Sequence, residues 1–172
     1  MKTKAIRIIL VCALIFLMVA CSVKTPTQSA TPIPATSDTR AEASQALQTF
    51  FEDLNVGDYE NAAALYGGSY DWLSSMNPDI DPADHVSLFK QGCQLNGFQC
   101  LKILKVTFDS QPSTNDFIFV VQFQNADGTL FVQGPCCGED ETTSPPVSEF
   151  KYTVTRTDSG NYLVMDMPPY VP

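Results

Sequence analysis

The sequence has few positive charges, and their positions limit what the protein can bind. Only 10 of its 172 residues are Lys or Arg, against 19 that are Asp or Glu. Three of the cations, Lys2, Lys4 and Arg7, lie within the first seven residues. A surface that follows a phosphate backbone needs clustered cations. The composition therefore argues against a nucleic-acid partner.

Catalytic and metal-binding motifs are also missing. There is no Gly-x-Ser-x-Gly elbow, no phosphate-binding loop and no zincin motif, and His85 is the only histidine. Residues 77–81 (NPDID) begin like a calcium loop, but Pro82 and Leu88 occupy its sixth and twelfth positions instead of Gly and Glu. We expect no metal and no cofactor. Asp81 is interpreted as a helix cap, and His85 as a structural histidine.

No apolar run is long enough to cross a bilayer, although the N-terminus carries a shorter one. Residues 1–7 are basic, and residues 8–20 form an unbroken apolar run. A transmembrane helix needs roughly 20 apolar residues. The two segments together predict a signal peptide over residues 1–20.

The residues at the end of that run predict a lipid anchor. Residues 17–22 (LMVACS) place Ala20 directly before Cys21, and this arrangement resembles the bacterial lipoprotein signal. The resemblance implies that the thiol of Cys21 is diacylglycerylated, that the chain is cut before it, and that the new amino terminus is acylated, as with palmitate. The protein would then lie on the extracytoplasmic face of the bacterial cell envelope, held to the membrane by lipid. The alternative is an ordinary secretory signal, with Cys21 as a structural cysteine.

A tether is predicted between the anchor and the folded domain. Of the seventeen residues 22–38, twelve are Ser, Thr, Pro or Ala, too polar a composition to offset the entropy of ordering. Loss of residues 1–20 leaves 7 basic and 19 acidic residues, a formal charge of −12. Anionic lipid head groups would repel such a chain, which favours covalent anchoring.

Residues 39–172 read as one α+β domain. A capping box at residues 39–42 and apolar residues at helical spacing predict a helix over 40–55, followed by helices over 59–66 and 81–91. The period then changes to two. The predicted strands, rich in β-branched and aromatic residues, cover residues 103–108, 117–123, 129–132, 150–157 and 162–167. We expect the helices to pack on one face of a curved antiparallel sheet.

Residues 50–66 (FFEDLNVGDYENAAALY) resemble the opening helix pair of the nuclear transport factor 2-like superfamily. The resemblance implies a cystatin-like cone, in which two helices joined at a Gly-Asp turn precede a short strand, a third helix and a bent antiparallel sheet. Residues 69–73 would be that short strand. Many bacterial lipoproteins carry such domains without an assigned activity, while other members are isomerases, dehydratases or cyclases.

Two hypotheses of function follow. The first is a membrane-anchored domain that binds a small ligand or a protein partner, and it is the preferred one. The second is a small acid/base enzyme with its site inside the cone, since the isomerase-like members place an acidic base and a hydroxyl donor there. Possible lining residues of such a cavity are Tyr70, Trp72, Tyr152 and Asp166. No residue is assigned as catalytic.

Four cysteines remain in the domain: Cys93, Cys100, Cys136 and Cys137. If residue 101 begins a strand, the meander carries Cys136 to the opposite end of the sheet, on the order of 20 Å away. This geometry predicts a Cys93–Cys100 bridge. Cys136 and Cys137 would then form a vicinal bridge or remain thiols. Cross-pairing between the two sets is the rival arrangement.

The residues after the vicinal pair, 138–141 (GEDE), are mostly acidic. Together with the two cysteines they could form a metal or redox site. However, zinc sites usually show Cys-x2-Cys or Cys/His spacings, which are missing here. A solvated acidic loop is the favoured interpretation.

The lipid anchor can be tested directly. We expect Cys21→Ala to abolish incorporation of labelled fatty acid and to move the protein out of the membrane fraction, because no thiol remains to accept the lipid. Cys12→Ala, in the part of the signal that is removed, is the control and should still be labelled. Labelling and membrane retention of Cys21→Ala would disprove the anchor.

Overall fold

The computed structural model describes residues 37–172, so Cys21 and the predicted signal peptide lie outside it. Four helices come first and four strands follow. They are α1 (Ser37–Val56), α2 (Tyr59–Ala64), α3 (Asp71–Met76), α4 (His85–Gln94), β1 (Lys102–Ser110), β2 (Asp116–Gln124), β3 (Phe150–Arg156) and β4 (Tyr162–Val164). The expected α+β class is confirmed. Within residues 37–172, no helix combines the length and apolar character needed to cross a membrane.

The helix boundaries follow local capping chemistry. Gly57, with φ +83°, takes the left-handed conformation at the end of α1, which glycine adopts without strain. Asp58 then caps α2 by accepting a hydrogen bond from the Asn61 amide at 3.3 Å. The third predicted helix starts at His85 rather than near Asp81. Its cap is Asp84, which accepts from the Ser87 amide at 3.0 Å.

The strand predicted over residues 69–73 is wrong, because α3 begins there instead. Ser69 Oγ accepts a hydrogen bond from the Asp71 amide at 3.0 Å, and the Tyr70 carbonyl accepts from the Ser74 amide at 2.9 Å. The segment therefore satisfies its backbone groups locally. The strand was expected only from the family resemblance, and Trp72 and Leu73 lie in α3 instead.

The strand predicted over residues 129–132 forms only an isolated bridge between Gln124 and Leu130. Asp127 Oδ1 accepts from the Thr129 amide at 2.9 Å, which holds a tight turn directly before it. Phe131 is buried, whereas Leu130 and Val132 are exposed. One buried residue is too little apolar surface to hold another full strand against the sheet.

The four strands form an antiparallel open sheet in the order β1-β2-β3-β4. Residues 117–121 (FIFVV) are apolar on both faces, which predicts a position in mid-sheet. This prediction is confirmed, since β2 has a neighbour on each side. Buried and half-buried residues alternate along β2, so one face of the sheet is the core face. Its fully buried residues include Phe117, Phe119, Val121 and Phe123.

Helix α1 packs on this core face through aromatic rings. Phe51 is fully buried, with its ring centroid 4.8 Å from that of Phe123 and 4.9 Å from that of Tyr152. Phe50 lies 5.9 Å from Phe89 of α4. Edge-to-face pairs at these distances are favourable beyond the area they bury. Two adjacent residues of α1 thus join the sheet to α4.

A disulfide joins Cys93 of α4 to Cys100, with 5.6 Å between the two Cα atoms. The strand topology predicted this pairing. Cys136 and Cys137 are exposed free thiols in the loop between β2 and β3. The bridge therefore holds the last helix beside the start of β1.

Phe51 offers a test of the packing. We expect Phe51→Ala to lower the free energy of unfolding by about 3–5 kcal/mol, because the lost ring leaves a cavity between α1 and the sheet. Urea denaturation measures the change. Val56→Ala, at a position of the same helix that is 65% exposed, should change it by less than about 0.5 kcal/mol. Equal losses in the two variants would contradict the packing described here.

Candidate functional site

Helix α1 runs antiparallel to β1; one end of the helix contacts the strand and the other contacts the segment just before it. The guanidinium of Arg40 lies 4.1 Å from the centroid of the Phe108 ring. At the other end, the Asn55 side-chain amide donates to the Cys100 carbonyl at 3.0 Å. The helix and the strand are therefore held together at two widely separated points.

Between these points lies a groove of about 390 Å³, here called the α1–β1 groove. Its lining residues are Gln45, Gln48, Thr49, Glu52, Asp53, Lys102, Ile103, Leu104, Lys105 and Val106. The strand side contains a β-bulge, since Ile103 pairs with Phe123 and Lys105 pairs with Gln122. Leu104 is the extra residue and is 48% exposed. Bulges of this kind redirect side chains and often lie beside binding sites.

The groove carries opposite charges on its two sides. Lys102 and Lys105 lie on the strand side, and Glu52 and Asp53 on the helix side. Burial raises the pKa of Asp53, and the nearby charges of Asp58 and Glu52 raise it further. Within residues 37–172, the buried Oδ2 of Asp53 has no hydrogen-bond partner. A buried acceptor without a donor is unfavourable, so this atom would gain from a donor supplied by a ligand.

The two outer edges of the sheet differ. The edge of β4 is covered, because the Gly67 amide donates to the Val164 carbonyl at 2.9 Å and the Val164 amide donates to the Leu65 carbonyl at 2.8 Å. The outer edge of β1 is paired by no strand of the part of the chain that the structure describes. An open strand edge presents a row of backbone donors and acceptors.

Three of the four predicted cavity residues lie around one tyrosine, Tyr66, which the sequence did not suggest. The Tyr70 ring centroid is 5.0 Å from that of Tyr66. Burial raises the pKa of both Tyr66 and Tyr152, and the charge of Asp166 raises each further, so the three side chains interact electrostatically. Asp166 also accepts from the Thr153 amide at 2.6 Å. These residues form a partly buried polar cluster, here called the tyrosine cluster.

Trp72, the fourth predicted cavity residue, lies elsewhere. Its ring stacks on Phe98 at 5.2 Å and meets Tyr170 edge-on at 4.8 Å. It is 40% exposed and closes a contact between α3 and the C-terminal segment. Its role is packing at the surface.

His85 is exposed and stacks on Tyr70 at 3.8 Å, consistent with a structural histidine.

The tyrosine cluster is packed rather than open. Burial, with a smaller contribution from Asp166, raises the pKa of Tyr66 to about 12, so its hydroxyl is neutral at physiological pH. That hydroxyl donates to the Ser69 carbonyl at 3.2 Å. None of the cluster's side chains lines the α1–β1 groove or three further depressions on the described surface. The cluster can donate hydrogen bonds, and its Tyr66 and Tyr152 side chains are buried.

The α1–β1 groove was not predicted from the sequence. Lys102 and Lys105 are two of six cations in residues 37–172 and fall on a single strand, a signal that could have been noticed. The bulge at Leu104 depends on the register between β1 and β2. Register is set by the whole sheet, so the strand's own residues do not reveal it.

Tyr66 makes stability depend on pH. Its pKa rises from an ordinary value near 10 in the unfolded chain to about 12 in the folded one. Below pH 10 both states are protonated and the stability is complete. Between about pH 10 and 12 the unfolded state loses the proton first, so stability falls as pH rises.

We therefore expect Tyr66→Phe to show a weaker fall in unfolding free energy than the wild type across that window. Urea titrations at stepped pH measure it. Val56→Ala, which removes no titrating group from an exposed position of α1, is the control and should keep the wild-type slope. An unchanged slope in Tyr66→Phe would contradict the burial assigned to this hydroxyl.

In comparisons with known proteins, no protein-family model and no curated protein matches this sequence. A functional assignment must therefore come from the residues and geometry described above.

Proposed function

We propose that this protein is a lipid-anchored lipoprotein of the bacterial cell envelope. Its α+β domain would bind an extended, acidic peptide segment of a partner protein in the α1–β1 groove. The open edge of β1 beside that groove is the observation that carries the proposal. The membrane is the second partner, reached through the lipid on Cys21.

The anchor limits where the partner can be. Fifteen residues lie between Cys21 and Ser37, where α1 begins. A chain of that length spans at most about 55 Å when fully extended. The groove therefore stays close to the membrane surface, and its partner would be another protein of the envelope. The acidic excess of the chain keeps the domain itself from adsorbing to anionic lipids.

An extended peptide matches the chemistry of the groove. The free edge of β1 offers backbone groups to a further strand, which is the basis of β-strand addition. Register shifts occur between Ile103 and Lys105 and between Phe108 and Ser110, so regular pairing is limited to residues 105–108. The backbone amides of a bound peptide are hydrogen-bond donors, and Asp53 Oδ2 has no donor among the described residues.

Charge selects among extended peptides. Lys102 and Lys105 pair with Gln124 and Gln122 of β2, and Val106 between the bulges pairs with the buried Val121. The lysines therefore lie on the face of the sheet opposite the core. Lysines on an edge strand discourage pairing with uncharged strands. They favour a peptide that brings carboxylates.

The domain is proposed to be a nuclear transport factor 2-like cone. Supporting this are the helix pair joined at Gly57 and Asp58 and the later antiparallel meander, with α1 on its core face. The helix α3 in place of a first strand is a departure from the pattern. A four-stranded sheet leaves less interior than a larger one, which favours a site at the edge.

The second candidate function is an acid/base enzyme, for which the nearness of Asp166 to Tyr66 and Tyr152 is the favouring observation. A proton abstraction would need Asp166 to face the substrate while a tyrosine hydroxyl stabilises the product anion. Asp166 already accepts from the Thr153 amide, and Tyr152 is 2% exposed. Binding at the α1–β1 groove is therefore the preferred function.

Peptide selection tests the proposed groove. Random linear peptides displayed on phage are panned against the full chain in detergent, and the enriched sequences are synthesised. We expect Asp and Glu to be enriched. The double variant Lys102→Glu/Lys105→Glu should weaken binding by at least tenfold, because it reverses the charge beside the edge.

The matched control is Lys90→Glu/Arg156→Glu, which changes the net charge equally at exposed positions outside the groove lining. It should keep wild-type affinity. A photo-crosslinking residue at position 104 should capture the peptide, and one at position 130 should not. Equal weakening in both double variants, or capture at 130 alone, would overturn the groove as the binding site.

A further inference from the structure

The loop between β2 and β3 holds two adjacent cysteines that face each other. Cys136 and Cys137 are both exposed, and their Sγ atoms lie 2.8 Å apart, within hydrogen-bonding distance. Neighbouring side chains of an extended chain normally point in opposite directions. Here the two sulfurs converge instead.

The backbone accounts for this convergence. Cys137 has φ +61° and is the one non-glycine residue with positive φ in residues 37–172; Gly138 follows at φ +89°. The Glu139 amide donates to the Cys136 carbonyl at 3.0 Å and closes the turn. A residue other than glycine seldom adopts the left-handed backbone conformation unless the surrounding structure holds it there. The turn thus presents both sulfurs together.

The base of the loop is fixed to the domain on both sides. Gln133 and Val147 exchange two backbone hydrogen bonds at 2.8 and 2.9 Å. The Gln133 side chain also donates to the Tyr170 carbonyl at 2.9 Å. Beyond the cysteines, the Asp140 carboxylate accepts from the Thr142 and Thr143 amides. The cysteine pair therefore sits on a closed loop with a defined position.

We propose that Cys136 and Cys137 form a reversible redox pair, in which a vicinal disulfide is made and broken by exchange with an external disulfide. This pair is distinct from the α1–β1 groove and does not depend on peptide binding. The proposed envelope location supplies an oxidant of the right class, a thiol–disulfide oxidoreductase or a small disulfide. The chemistry itself can be tested on the purified protein.

The exchange takes two steps. One thiolate of the pair attacks a sulfur of the external disulfide, a mixed disulfide forms, and one external thiol leaves. The second cysteine then attacks the mixed disulfide and releases the other external thiol. Overall the two cysteines lose two protons and two electrons, and the external disulfide is reduced to two thiols.

The two thiols are placed to act in succession. The hydrogen bond with Cys137 raises the pKa of the Cys136 thiol, and desolvation and the charge of Glu139 raise it further. Because the two Sγ atoms lie 2.8 Å apart, whichever sulfur attacks the external disulfide first has the other beside it for the second step.

The second pair of cysteines provides an internal reference. Cys93 and Cys100 are half-buried and join α4 to the start of β1 through a closed bridge. Exchange with an external thiol requires access to a sulfur. Under a common reductant, we expect the exposed pair to open first and the half-buried bridge to stay closed.

The test equilibrates the full chain in detergent with glutathione buffers of increasing reduced-to-oxidised ratio. Samples are quenched with acid, alkylated and mapped by mass spectrometry after proteolysis. We expect the 136–137 peptide to lose two hydrogens and take no alkyl group in oxidising buffer, and to take two alkyl groups in reducing buffer. The Cys93–Cys100 bridge should need a buffer at least tenfold more reducing.

Single variants separate the two steps. Cys136→Ser and Cys137→Ser should each stop at a glutathione adduct on the cysteine that remains, because no second thiol is left to release it. The double serine variant should keep the wild-type unfolding transition. The proposal fails if wild-type protein retains two alkylatable thiols in oxidising buffer. It also fails if the protein accumulates glutathione adducts or intermolecular dimers, or joins either cysteine to Cys93 or Cys100.

Discussion

The packing of α1 on the core face of the sheet is the contact on which the other features depend. Phe51 meets Phe123 and Tyr152 edge-on, and its neighbour Phe50 reaches Phe89 of α4. This contact sets how α1 lies across the strands. The Arg40 and Asn55 contacts with the β1 side, and the groove between them, exist only because the helix is held in that position.

The same packing explains why the proposed site lies at an edge of the sheet. Large rings occupy the core face, so little room is left in the interior, and the tyrosine cluster is enclosed by them. The edge of the sheet at β4 is covered by the segment around Gly67. The end at β1 combines an exposed bulge, opposite charges and an unpartnered Asp53 oxygen within the described residues. The proposed peptide site is placed there for these reasons.

The four domain cysteines form two pairs that differ in their surroundings. Cys93 and Cys100 lie where a helix must meet the start of a strand, and their bridge stabilises that junction by restricting the unfolded chain. Cys136 and Cys137 join no two elements, because they are adjacent and sit in an exposed loop. Their thiols are therefore open to reagents in the solvent.

Local interactions allowed the sequence alone to predict the α+β class, the first two helices, the mid-sheet position of residues 117–121 and the pairing of Cys93 with Cys100. Helix periodicity, the Gly57–Asp58 turn and alternating strands all act over a few residues. The strand at residues 69–73, expected from the family resemblance, was wrong because local contacts begin α3 there. The strand at residues 129–132 was wrong because a tight turn leaves only an isolated bridge. Tertiary structure decided the remaining features. These are the open edge of β1, the bulge at Leu104, the convergence of two sulfurs, and the tyrosine cluster of Tyr66, Tyr70, Tyr152 and Asp166. Each depends on strand register or backbone conformation, which arise only when distant parts of the chain pack together.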